Sequence, residues 1–84
     1  MKYDFITFRS VTIAQRGERV LSGAGIRSSV QRTPRWMEEQ GCGYCLRMQS
    51  GSVRQALEIL GRNQLKWRKV YTQREDGILE EVAL

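Results

Sequence analysis

The stretch Gln40-Gly41-Cys42-Gly43-Tyr44-Cys45-Leu46 holds both cysteines of an 84-residue chain that contains no histidine. A Cys-x-x-Cys pair offers a redox couple, half of a metal site, a carrier thiol beside a bystander, or two small residues filling a core. Structural zinc wants four Cys or His ligands, and two cysteines without histidine supply half a set, so neither a metal nor a bound cofactor is expected. A thioredoxin-type couple opens a helix, whereas Cys42 to Met48 alternates as a strand. On a continuous strand, residues three apart point to opposite faces with Cα atoms about 10 Å apart. A disulfide tolerates roughly 7 Å. Two readings stay open: a reactive thiol, or packing, since free cysteine is among the most often buried residues.

The elements that must position these thiols follow from periodicity. Residues 3–8 are rich in aromatic and β-branched types and predict a strand. Ser10 offers an N-cap for a helix over 11–22, with Ala14, Gly17, Val20 and Leu21 at helical spacing and Gly23 and Gly25 as its stop. Alternation predicts a second strand over 26–30, ended by Thr33-Pro34. Residues 35–41 read as a loop. The third strand, 42–48, sends Cys42, Tyr44, Leu46 and Met48 to one face and Gly43, Cys45 and Arg47 to the other. Ser52 is placed to cap a second helix over 53–62, whose stripe is Val53, Ala56, Leu57 and Leu60. A fourth strand is expected over 65–72, and Asp76-Gly77 signals a hairpin into a short fifth strand at 78–82.

This βαββαβ order fits an α+β ferredoxin-like sandwich with two helices on one face of an antiparallel sheet and an extra C-terminal hairpin strand. An 84-residue chain buries surface enough for one core, so residues 1–84 read as a single domain. The N-terminus meets a charge before any apolar run, and no segment approaches the roughly 20 apolar residues that span a bilayer. The expectation is a cytoplasmic protein, away from the membrane, with free thiols. Fourteen Lys and Arg against nine Asp and Glu give a net charge of +5. Most of the cations are arginine, which suits phosphate, sulfate or carboxylate, although a solvated surface explains them equally well.

In this topology the first and third strands are antiparallel neighbours, so Cys42 falls near Phe8, Arg9 and Ser10. The first helix begins there, and its unpaired N–H groups favour an anion such as a thiolate. Arg9, with Arg32 or Arg35 from the preceding loop, supplies further positive charge. Gly41 and Gly43 allow close approach of another molecule, and Trp36 in its polar loop is a candidate docking residue.

Phe5-Ile6-Thr7-Phe8 with Ser10, then Ala24-Gly25-Ile26, Thr33-Pro34-Arg35, and Cys42-Gly43 followed by Leu46-Arg47-Met48 carry a family likeness over about residues 3–72. Through them the chain resembles the small selenium/sulfur carrier-like proteins. The resemblance implies a carrier thiol at Cys42, loaded as a persulfide or perselenide by a cysteine desulfurase-like or selenium donor enzyme and unloaded to an acceptor protein. It implies a carrier more than a stand-alone enzyme. Cys45 departs from the small apolar residue usual at its position, which leaves a second, resolving thiol open. The tail after Tyr71 also departs.

Two other classes compete. The same fold serves the RNA-recognition motif, and Gln40 to Tyr44 falls where that motif's third-strand signature lies. Cys42 replaces its first stacking aromatic, Arg47 another, and Tyr44 belongs to the helix-facing side, so nucleic acid is disfavoured. The alternative is a non-catalytic dimerisation or regulatory domain whose free sheet face pairs with a second copy.

Overall fold

The computed structural model describes residues 2–34 and 43–82. Strand β1 (Tyr3–Phe8) turns Asp4, Ile6 and Phe8 to the interior. Helix α1 (Val11–Gly23) starts at Ser10, whose extended backbone lets its side-chain oxygen accept the Ile13 N–H at 3.3 Å. Ala14, Gly17 and Leu21 form its buried stripe. β2 (Ser28–Arg32) and β3 (Tyr44–Gln49) follow. Helix α2 (Val53–Arg62) buries Ala56, Leu57 and Leu60. β4 (Val70–Gln73) and β5 (Leu79–Glu81) form a hairpin, in which Gly77 adopts φ 87° and Asp76 accepts the Ile78 N–H at 3.1 Å.

The sheet order is β2-β3-β1-β4-β5, and every pairing among the described residues is antiparallel. Both helices pack on one face, giving an α+β sandwich of ferredoxin-like order with a fifth strand added at the β4 edge. Ile6, Phe8, Leu46, Met48 and Val70 from the sheet meet Ala14, Leu21, Leu57 and Leu60 from the helices. Gly17 lets α1 lie close against both layers: a Cβ there would stand 3.2 Å from Leu46 Cδ1 and from Leu60 Cδ2. Tyr44 packs against this core, on the same side as Leu46 and Met48.

Several boundaries differ from the sequence expectations, each for a local reason. The second strand begins at Ser28 and not at Ile26, because Ile26 completes the cap of α1: its N–H reaches Leu21 O at 2.8 Å and its side chain is buried. The fourth strand begins at Val70 and not at Leu65. Leu65 is taken by the cap of α2, and Arg68 and Lys69 together face Thr7, donating to and accepting from it in a bulge-like step. The side chain of Ser52 makes no capping bond, since its backbone is helical (φ −99°, ψ −7°) where a capping side chain needs an extended one.

A buried carboxylate serves that helix end. Asp4, 1% exposed, accepts the Thr72 hydroxyl on Oδ1 at 2.7 Å and the Gly51 N–H on Oδ2 at 3.3 Å. It ties β1 to β4 and to the turn before α2, where negative charge is favoured.

Gln64, at φ 59°, holds the left-handed position after α2 that glycine occupies at least cost. Gln64→Gly should therefore raise stability by about 0.5–1 kcal/mol, visible as a higher thermal midpoint by circular dichroism. A lower midpoint would show that the glutamine side chain contributes more than its backbone strain removes.

Candidate functional site

The β1–β3 register brings the predicted partners to one end of the sheet. Phe8 pairs with Tyr44, and Tyr44 pairs in turn with Arg32 of β2. One residue further out, Thr33 N–H donates to Gly43 O at 3.0 Å. β1 leaves the same end through exposed Arg9 into Ser10 and α1. Arg9, Ser10, Arg32 and Gly43 thus share this end, and Gly43 is itself buried. The Ser10 hydroxyl is already engaged as the N-cap, so its contribution is to hold the helix start in place. Cys42, Arg35 and Trp36 lie outside the described residues.

Cys45 has a defined setting. It pairs with Thr7 on one side and Gln31 on the other, on the sheet face turned away from the helices, yet its exposure is 0%. Thr7 and Tyr71 on that face are also buried, so the sheet is not open there. Burial pushes the Cys45 thiol up from its ordinary value of 9.0, while the neighbouring Thr33 hydroxyl pulls weakly the other way. Burial is the larger of the two effects, and by geometry Thr33 Oγ1 is a buried oxygen without a hydrogen-bond partner. At neutral pH Cys45 is a protonated, sequestered thiol and a poor nucleophile.

Two consequences are measurable. Iodoacetamide at pH 8 should modify Cys45 at least about a hundredfold more slowly in the folded protein than in urea. Because folding favours the protonated thiol, its stabilising contribution is complete below pH 9.0 and is lost as pH rises through the higher folded value. Stability should accordingly fall more steeply above pH 9 in the wild type than in Cys45→Ala. Equal slopes would mean that the thiol ionises as freely folded as unfolded.

Among the described residues no group of three or more His, Cys, Asp or Glu is arranged to hold a metal ion, and no helix is long and apolar enough to cross a membrane. Asp4 was not singled out from the sequence, although alternation with Ile6 and Phe8 already put a carboxylate on the core face of β1. Trp67 is half-buried against the core from the segment preceding β4.

The fold and this sheet end define a small α+β domain with a Cys-Gly dipeptide leading into its third strand. Residues 2–72 match the model of the family described as "Putative Se/S carrier protein-like", and the chain belongs to that family. No curated protein and no solved structure matches it.

Proposed function

We propose that the chain is a sulfur or selenium carrier whose working thiol is Cys42, charged by a donor enzyme and discharged to an acceptor. The observation that carries this reading is the β1–β3 register. Cys42 is bonded to Gly43, whose carbonyl is held by Thr33 at the sheet end where β1 passes through Arg9 into the start of α1. A helix N-terminus and an arginine both favour a thiolate over a thiol. Arg35 adds positive charge and Trp36 a docking contact in this proposal, and a reducing cytoplasmic setting keeps the thiol free.

Loading is a thiol exchange. The Cys42 thiolate attacks the terminal sulfur of a persulfide on the donor's cysteine, and a new S–S bond forms as the donor's own S–S bond breaks. The electron pair leaves on the donor thiolate, the terminal sulfur keeps its proton, and nothing is oxidised or reduced overall. Selenium follows the same course. Cys45, buried and protonated, leaves that cargo untouched.

The test is mass spectrometry of the reduced protein after incubation with a cysteine desulfurase and cysteine. Trypsin leaves both thiols on one peptide, so the fragments must be sequenced. An added sulfur confined to Cys42 is the expected result. No adduct on either thiol, with a selenium donor tried as well, would overturn the reading. The family membership carries the choice of a carrier over an RNA-binding module. Tyr44, the aromatic an RNA platform would need on a free face, packs into the core instead.

A further inference from the structure

The sheet has two outer edges, and they are built differently. At one, β5 is three residues long and carries Glu80 and Glu81, ion-paired with Arg74 and Lys69, each at 3.7 Å. Shortness and charge are devices by which an edge strand avoids pairing with another chain. At the other edge, β2 is five residues long, reads Ser-Ser-Val-Gln-Arg, and is uncharged until Arg32. Its proline, Pro34, comes only after the strand has ended.

The β2–β3 register decides which backbone groups face outward. Thr33 N–H donates to the opposing Gly43 O at 3.0 Å, and hydrogen-bonded positions recur at every second residue of an antiparallel pair. Gln31 and Ser29 therefore bond to β3, while the N–H and C=O groups of Ser28, Val30 and Arg32 point away from the sheet. None of these outward groups has a partner among the described residues.

This row of groups is its own complement. When a second β2 is set antiparallel to the first about a two-fold axis at Val30, every outward N–H meets an outward C=O of the other copy. Val30 then opposes Val30, Ser29 opposes Gln31, Ser28 opposes Arg32 and, just beyond the strand, Arg27 opposes Thr33. No like charges face one another. The two valines meet on the helix side of the sheet, where Val30 is already half-buried against the core. Two polar atoms point the same way. Ser28 Oγ and Thr33 Oγ1, buried side-chain oxygens without a partner, stand at the first residue of β2 and just past its last. The two-fold pairing sets an arginine of the second copy opposite each of them, on its own face of the sheet, and guanidinium is a donor several times over.

We propose that β2 is a dimerisation edge, where a second copy of this chain pairs antiparallel about Val30 and continues one sheet through both copies. Any extended segment would meet the outward backbone groups, whereas the match of Arg32 to Ser28 and of Arg27 to Thr33 belongs to this chain's own sequence. The joint is at the edge and not on the sheet face, where Thr7, Cys45 and Tyr71 are already buried. It does not depend on what Cys42 carries.

Hydrogen exchange in the wild-type chain, with thiols kept reduced, reads the pairing amide by amide. At about 1 mM the Ser28, Val30 and Arg32 amides should exchange at least about tenfold more slowly than at about 10 µM, while Ser29 and Gln31, bonded within the chain, change little. Sedimentation over the same range should show the mass doubling. Val30→Lys and Val30→Glu each set like charges face to face at the two-fold axis, so each should sediment as a single chain with the wild-type circular dichroism. Mixed in equal amounts they should dimerise again, because lysine then faces glutamate. A single-chain mass at every concentration overturns the proposal, as does a dimer whose Ser28, Val30 and Arg32 amides exchange freely. Folded variants that stay monomeric when mixed overturn the register about Val30, and the proposal with it. If either variant fails to fold, the exchange contrast in the wild type decides alone.

Discussion

Cys42→Ala should lose sulfur loading by at least about a hundredfold from protein and inorganic donors alike, while Cys45→Ala loads within a few-fold of wild type. The asymmetry has a physical source. Exchange requires a thiolate that a donor can reach, and Cys45 is at 0% exposure with its thiol pushed up by burial. On the proposed mechanism, removing Cys42 takes away the reacting atom, whereas removing Cys45 takes away a small apolar filler between Thr7 and Gln31. Cys45→Ala should show its effect in stability, as a core truncation of about 1 kcal/mol. Rates of adduct formation resolved by residue decide the matter. A sulfur adduct appearing on Cys45 in folded Cys42→Ala would refute the division of roles, because it would require the buried thiol to be accessible.

Asp4→Ala should destabilise the domain by about 2–4 kcal/mol, the largest stability loss expected from one polar residue here. The carboxylate is buried at 1% exposure and holds two donors, the Thr72 hydroxyl at 2.7 Å and the Gly51 N–H at 3.3 Å. Alanine leaves both without their acceptor and opens a cavity in the helix-facing layer. Release of the charge from its buried setting offsets part of that loss, which is why the estimate stays below the sum of two charged hydrogen bonds. Asp4→Asn keeps an acceptor and should lose about half as much. In a domain of this size each kcal/mol lowers the thermal midpoint by roughly 4–8 °C, so urea and thermal unfolding both read the effect. A loss below about 1 kcal/mol for alanine would mean that the two donors find other acceptors. Since β1 delivers Arg9 and Ser10 to the candidate site, faster alkylation of Cys45 should accompany any loosening of that strand.

The helices were legible almost to the residue. Ser10 before an apolar stripe at Ala14, Gly17 and Leu21, and Ala56, Leu57 and Leu60 in the second helix, are patterns that neighbours in the chain create among themselves. The strand limits were less legible. Ile26 and Leu65 look like strand residues by type, and each is drawn into a helix cap by one hydrogen bond to a carbonyl five residues earlier. Ser52 has the type of a capping residue without the backbone for it. Of the candidate site, the shared sheet end of Arg9, Ser10 and Gly43 followed from the βαββαβ order once β1 and β3 were taken as neighbours.

By itself, then, the order of residues determined the element types, the antiparallel sandwich and the Cys-Gly entry to β3, because periodicity, caps and turn residues act over a few positions. Tertiary structure alone decided the rest. Asp4 finds Thr72 across a separation of 68 residues, and Thr7 meets Lys69 across 62. Cys45 is sealed on the face that alternation would leave free. Burial depends on which distant segments close over a residue, and no local pattern carries that information.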